Sequence, residues 1–316
     1  MKAKAVEYVK ICSLYGAGFY YMPGTDTCIK LGGYLRADAV LGGANDYGFN
    51  QSSATANGGS NNRLTNYYYT RARMDLTVDT RTATEYGVVR TYADMIFSYD
   101  TSQVTGSAPS AFLAGNPSLG LYHAFIQFAG FTMGGTVSIF DAPWQSYPAG
   151  GPDSIPGGSN HVTGVNQFAY TADFGQGITG SVSIEDLTTL TSGQSNLWNT
   201  SGFTTAAAAA GGAFMTGTYG VQGWGGTRSP DIVGAIRVDQ AWGLAQVSVA
   251  AHDLHSGYFG TTEPTGHPSD KWGFAVQGAL SIKNIPTGAG DSINLQAVYT
   301  EVQASIASRP CSRRTS

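Results

Sequence analysis

The chain has 316 residues, a formal net charge of -4 and only 12% charged residues, against 43 Gly and 18 Tyr. No Lys/Arg cluster marks a basic surface, which excludes nucleic acid as a partner. No window of 18 apolar residues occurs, which excludes a transmembrane helix within it; a mean hydropathy of -0.11 leaves membrane-spanning strands open, because only every second residue of such a strand faces lipid.

The first residues, MKAKAVEYVK, carry neither the apolar stretch nor the cleavage site of a secretory leader. Cys12 and Cys28 then bracket a glycine- and tyrosine-rich segment. Their sixteen-residue spacing is compatible with a disulfide in an oxidising compartment; two unpaired thiols or half a metal site are the other readings. Cys311 has no evident partner.

From Lys30 onward the chain repeats one pattern: about ten residues alternating apolar with polar, then a turn. Such strands suit a tilted crossing of a bilayer, and they are longer than the five or six residues typical of soluble sheets. Lys30 to Gly43 sends Leu31, Leu35, Ala37, Ala39 and Leu41 outward, and Lys30, Tyr34, Arg36 and Asp38 inward. In Tyr67 to Asp79 the polar face carries Arg71, Arg73, Asp75 and Asp79. Thr80 to Ala83 reads as a short turn. Thr84 to Asp100 follows, with Tyr86, Arg90, Tyr92 and Asp94 inward. Ser102 to Leu119 reads as a long loop, and Leu121 to Phe131 as a strand with Tyr122, Ile126 and Phe128 outward.

Four prolines and four glycines forbid regular structure in much of Ser138 to Asn160. Alternation resumes in Val162 to Phe174 and, after Gly175-Gln176-Gly177, in Ile178 to Leu187. Leu190 to Ser229 reads as another large loop. Ile232 to Trp242, with Arg237 and Asp239 on one parity, precedes Leu244 to His252, Lys271 to Lys283 and Asp291 to Thr300. Roughly ten strands, with short turns alternating with long loops, point to an all-β antiparallel transmembrane β-barrel with a polar lumen. Tyr67, Tyr68, Tyr69, Trp242, Trp272, Tyr258 and Phe259 sit near strand ends, where aromatic girdles meet both membrane interfaces; cross-strand packing, which would use the same residue types, is the other reading.

The stretches VEYVKICSLYGAGFYYMPGTDTCIKLGGYLRAD (Val6 to Asp38), TRTATEYGVVRTYAD (Thr80 to Asp94), AFIQFAGFTMG (Ala124 to Gly134) and PDIVGAIRVDQAWGLAQVSVAAHD (Pro230 to Asp253) resemble the alphaproteobacterial family of general diffusion porins. The resemblance runs to about Thr300. It implies a sixteen-stranded barrel in the bacterial outer membrane, a homotrimer passing small hydrophilic solutes and ions, with 1–316 as one barrel domain. Family members carry a leader and close on an aromatic residue, whereas this chain ends IASRPCSRRTS. The expectation is therefore a sequence truncated at both ends, with closing strands missing and 301–316 an atypical tail.

In that family the loop after a strand matching Ala124 to Val137 folds into the lumen as a constriction. By resemblance this is Phe140 to Asn160, whose acids are Asp141 and Asp153. Arg36, Arg71, Arg73 and Arg90 share the polar parity of the first three strands, where they would set a field across the pore. Solvated same-face pairs, Arg71 with Asp75 and Arg90 with Asp94, are the plainer reading.

Catalysis is not expected. The five His offer no nucleophile–base pairing, GxSxG is absent, and His252-x-x-His255 has no further ligand cluster for a metal. No cofactor is expected. An adhesive surface barrel and a non-functional porin remnant are the competing readings.

Overall fold

The computed structural model describes residues 10–41, 68–100, 116–144, 164–186, 190–191, 194–195, 228–255, 263–267, 269–288 and 290–301. The chain forms two compact units, Met1–Thr171 and Ala172–Ser316.

In the first unit β1 (Tyr20–Tyr21), β2 (Thr27–Leu41), β3 (Tyr68–Thr84), β4 (Gly87–Asp100), β5 (Asn116–Phe128), β6 (Phe131–Val137) and the start of β7 (Gly164–Gly175) pair antiparallel in chain order. The second unit begins within β7 and continues through β8 (Ile178–Asp186). A separate small hairpin, β9 (Leu190–Thr191) with β10 (Gln194–Ser195), precedes β11 (Asp231–Gln240), β12 (Gly243–Leu254), β13 (Lys271–Lys283) and β14 (Ser292–Glu301). There β8, β11, β12, β13 and β14 pair antiparallel, each with the next.

The burial pattern is inverted relative to a soluble sheet. Leu35 is 82% exposed and Val182 53%, whereas Ser248 is 0% exposed, and Gln277 and Glu185 are each 1%. Along most of the strands the large apolar side chains are the exposed ones and many of the covered ones are polar, as expected when the outer face meets hydrocarbon, while β14 is exposed at every position. Tyr68, Tyr99 and Trp272 stand exposed toward the strand ends that lead into long connections, and Tyr86 and Trp242 at the short-turn ends. Tyr67, Tyr258 and Phe259 lie outside the described residues, as does the side chain of Tyr69.

Several expectations are corrected. Thr80 to Ala83 belong to β3, and the turn to β4 is Glu85–Tyr86, because the Thr80–Thr91 and Thr27–Thr82 hydroxyl contacts continue the ladder to its end; Tyr86, expected inward, stands 75% exposed in that turn. The stretch Ala124 to Val137 is not one strand. Ala129 (φ 50) and Gly130 (φ 87) both take positive φ, which makes a two-residue hairpin turn between β5 and β6. Asn116 to Leu119, read as loop, opens β5, and Leu119 faces outward at 69% exposure. Leu190 to Ser229 contains the β9–β10 hairpin.

Tyr122 does not point outward. The β4–β5 register slips between Asp94 and Met95, so His123 faces Asp94 and Leu121 faces Met95. Tyr122 is the extra residue of a β-bulge, and its ring lies 2.9 Å from where a Cβ on Gly120 would stand. Gly120 pairs with the buried Ile96, so the tyrosine covers the inner face.

Candidate functional site

The inner face of β2, β3 and β4 carries the four arginines singled out by parity, at two levels. Arg36 and Arg73 are direct cross-strand partners, and Arg71 stands opposite Asp38 and Asp100. Like charges side by side repel. Here Arg36 Nε donates to Asp38 Oδ2 at 3.0 Å, and Arg73 Nε donates to Ser98 Oγ at 3.1 Å, so each guanidinium is held by an acceptor of its own. Arg90 belongs to a lower level, beside Arg81. Arg73 and Arg81 are eight residues apart on β3, roughly 26 Å along the strand. The upper three arginines therefore form one group, nearer the long connections, and Arg90 does not join them.

Arg90 does not pair with Asp94. Residues four apart on one strand are about 13 Å apart, whereas a cross-strand diagonal neighbour lies within reach of long side chains. Arg90 Nη2 meets Asp79 Oδ2 at 3.0 Å and its Nε meets both Asp79 oxygens at 3.2 Å, while Nη1 donates to Gln127 Oε1 at 3.0 Å. Gln127 in turn donates to Thr132 Oγ1 at 3.2 Å. Arg81 binds the same carboxylate from the other side, Nη2 to Oδ2 at 3.2 Å. Arg81 escaped the sequence reading because its position was assigned to a turn.

Above this level lies the end of β6, which has only seven residues while β5 has 13 and β7 has 12. Its pairing with β5 stops at Gly135–Ala124, on a row that continues through Ala93 and Val78 to Leu31, midway along the neighbouring strands. Past Val137 the chain leaves the sheet. Gln167 Nε2 donates to the Thr136 and Val137 carbonyls at 3.1 and 2.7 Å, satisfying acceptors that a continued ladder would have used. Asp141 N donates to Ser138 O at 3.1 Å, Asp141 is half-buried, and Ala142 is fully buried against protein. Asp153 lies outside the described residues.

At the short-turn end the Cys12–Cys28 disulfide is present, with Cα atoms 6.1 Å apart. Together with Phe19 the pair forms a small buried apolar cluster, with Tyr15 and Tyr21 packed on it.

In the second unit the inner face is also polar. Arg237 Nε donates to Gln246 Oε1 at 2.8 Å, Gln246 Nε2 to Ser248 Oγ at 3.1 Å, and Gln296 Nε2 to Gln277 Oε1 at 2.8 Å. Ser183 Oγ donates to Glu185 Oε1 at 2.6 Å, and His252 Nδ1 lies 2.6 Å from Asp231 Oδ1. At the long-connection end Arg228 grips both oxygens of Asp253, at 2.8 and 2.7 Å, and also reaches Asp270. His255 Nδ1 lies 2.8 Å from Asp270 Oδ1. The Asp253 hydrogen bond raises the Arg228 pKa, and the His255 hydrogen bond lowers that of Asp270. No group of three metal-ligating side chains occurs among the described residues.

Three comparisons bear on this wall. A family profile described as Porin subfamily matches residues 1–308. Porin Omp2b of Brucella suis biovar 1 (strain 1330) is 27% identical over 285 residues, covering 90% of this chain and 67% of the relative. Porin Omp2b of Brucella melitensis biotype 1 matches with the same identity and coverage. The crystal structure of the outer membrane channel DcaP of Acinetobacter baumannii superposes with a TM-score of 0.53 at 18% identity, covering 89% of this chain and 66% of that one. The chain thus spans about two thirds of the length of these relatives. With the inside-out strands and polar inner face, these matches show that the chain belongs to the porin subfamily, as an antiparallel transmembrane β-barrel protein of the bacterial outer membrane that serves as a passive-diffusion channel.

Proposed function

We propose that the whole protein is a homotrimeric, water-filled pore for small hydrophilic solutes and ions, narrowed by the segment that follows β6. The observation that carries this reading is the early end of β6. A strand of seven residues between neighbours of 13 and 12 releases the chain at mid-wall, where Asp141 and the buried Ala142 begin the departure. A wide barrel needs such an internal narrowing to discriminate solutes by size.

Arg36, Arg71 and Arg73 lie on the long-connection side of that departure and supply positive charge to the wall, with Asp141 as the acid on the departing segment. Arg90 lines the wall closer to the short turns. Solutes pass down their gradients and no bond is made or broken. Reconstitution of the full-length protein in a planar bilayer should give stepwise, ohmic current increments. A purified protein that stays out of micelles and vesicles and yields no steps would remove the reading.

A further inference from the structure

The N-terminal segment does more than lead into β2. Cys28 shares the inner parity of β2 with Lys30, and its cross-strand partner is Arg81. Cys12 N donates to Phe19 O at 3.0 Å and Tyr21 N to Lys10 O at 2.9 Å, so residues 10–21 fold back as a tight hairpin that the disulfide pins to β2. The Ser13–Tyr15 turn of this hairpin lies over the inner face. There the Arg81 guanidinium sits 4.9 Å from the Phe19 ring centroid and 5.6 Å from that of Tyr15, and the Lys30 ammonium 5.8 Å from Phe19. Cation–π contacts of this length are attractive and directional. Asp79 holds Arg81 from its long-connection side and hands the contact on to Arg90, Gln127 and Thr132 across three further strands.

We propose that this disulfide-pinned knot is a second selectivity element, seated at the short-turn mouth of the channel, where it narrows the opening and fixes Arg81 to favour small anions. The reading rests on the channel function proposed above. On the inner face of β2 to β4 near this mouth Lys30, Arg81 and Arg90 outnumber Asp79, while Lys10, Asp26 and Glu85 stand exposed at the rim. The knot acts as a positioning device: Phe19 and Tyr15 limit where the Arg81 charge can lie. In an outer-membrane barrel short turns face the periplasm, so this mouth is separate from the narrowing after β6 and in series with it.

The test uses oxidised, full-length protein inserted in one orientation in a planar bilayer under a salt gradient. A charged, membrane-impermeant phosphine is added to one chamber and then the other. Reduction from the short-turn side alone should raise single-channel conductance and shift the reversal potential toward lower anion preference. The Cys12→Ser/Cys28→Ser variant should match the reduced channel and ignore the phosphine, and Phe19→Ala should lower anion preference with the disulfide intact. Unchanged conductance and reversal potential, with reduction verified by mass spectrometry, would overturn this proposal and leave the channel standing. No current from the oxidised protein would remove both.

Discussion

Asp79 stands between two guanidinium groups that would otherwise face each other directly, since Arg81 and Arg90 are cross-strand partners. Replacing it by Asn keeps the shape and removes the charge that reconciles them. The groups are partly exposed, so Asp79→Asn should cost about 1–2 kcal/mol. The readout is the midpoint of heat-induced unfolding, followed by the mobility shift on SDS gels. In the second unit, the lowered pKa of Asp270 makes its pairing with His255 and Arg228 pH-dependent. A carboxyl whose folded pKa is depressed stabilises fully above its ordinary value of 3.8 and loses that contribution as pH falls through the lower folded value. Hydrogen exchange at residues 228–231 and 269–271 should therefore accelerate as pH is lowered from 5 to about 3, after correction for intrinsic rates, and Asp270→Asn should abolish that dependence.

At the level of single strands, alternation revealed most of the architecture, because each parity sees one solvent. The ten strands expected from it are all present, with ends displaced by a few residues. What it missed has local causes. The turn at Ala129–Gly130 was hidden because Ala rarely adopts positive φ, and the Glu85–Tyr86 turn because threonines on both sides resemble loop composition. The polar site was half legible. Parity placed Arg36, Arg71, Arg73 and Arg90 inward, but height along the strand depends on register, which single strands do not disclose. Two substitutions test these rules. Leu35→Arg, at the exposed outer face of β2, should cost roughly 2–4 kcal/mol and reduce insertion into vesicles. Gly33 has φ +133, and a Cβ there would lie 2.0 Å from the Asp75 carbonyl oxygen. Gly33→Ala should therefore destabilise by about 1–3 kcal/mol in denaturant melts while Gly278, with open space around it, tolerates Ala.

For the whole molecule, the prediction concerns selectivity and assembly. Neutralising Arg36, Arg71 and Arg73 together, each to Gln, should shift the reversal potential toward cations, whereas replacing Arg237 alone should shift it less, since Gln246 already holds that guanidinium against the wall. Native mass spectrometry of the detergent-solubilised protein should show three copies; a monomer would remove the trimer from the proposal. A last consequence follows from the bulge at Tyr122. Leu121 faces lipid, His123 faces water and Ala124 faces lipid again, so one residue is absorbed with no change of side on either flank. Excising Tyr122 should thus leave an uninterrupted strand that still inserts. Excising Phe125, only three positions on, would turn one half of β5 inside out. Single-residue gaps in homologous chains are expected to collect at that one spot.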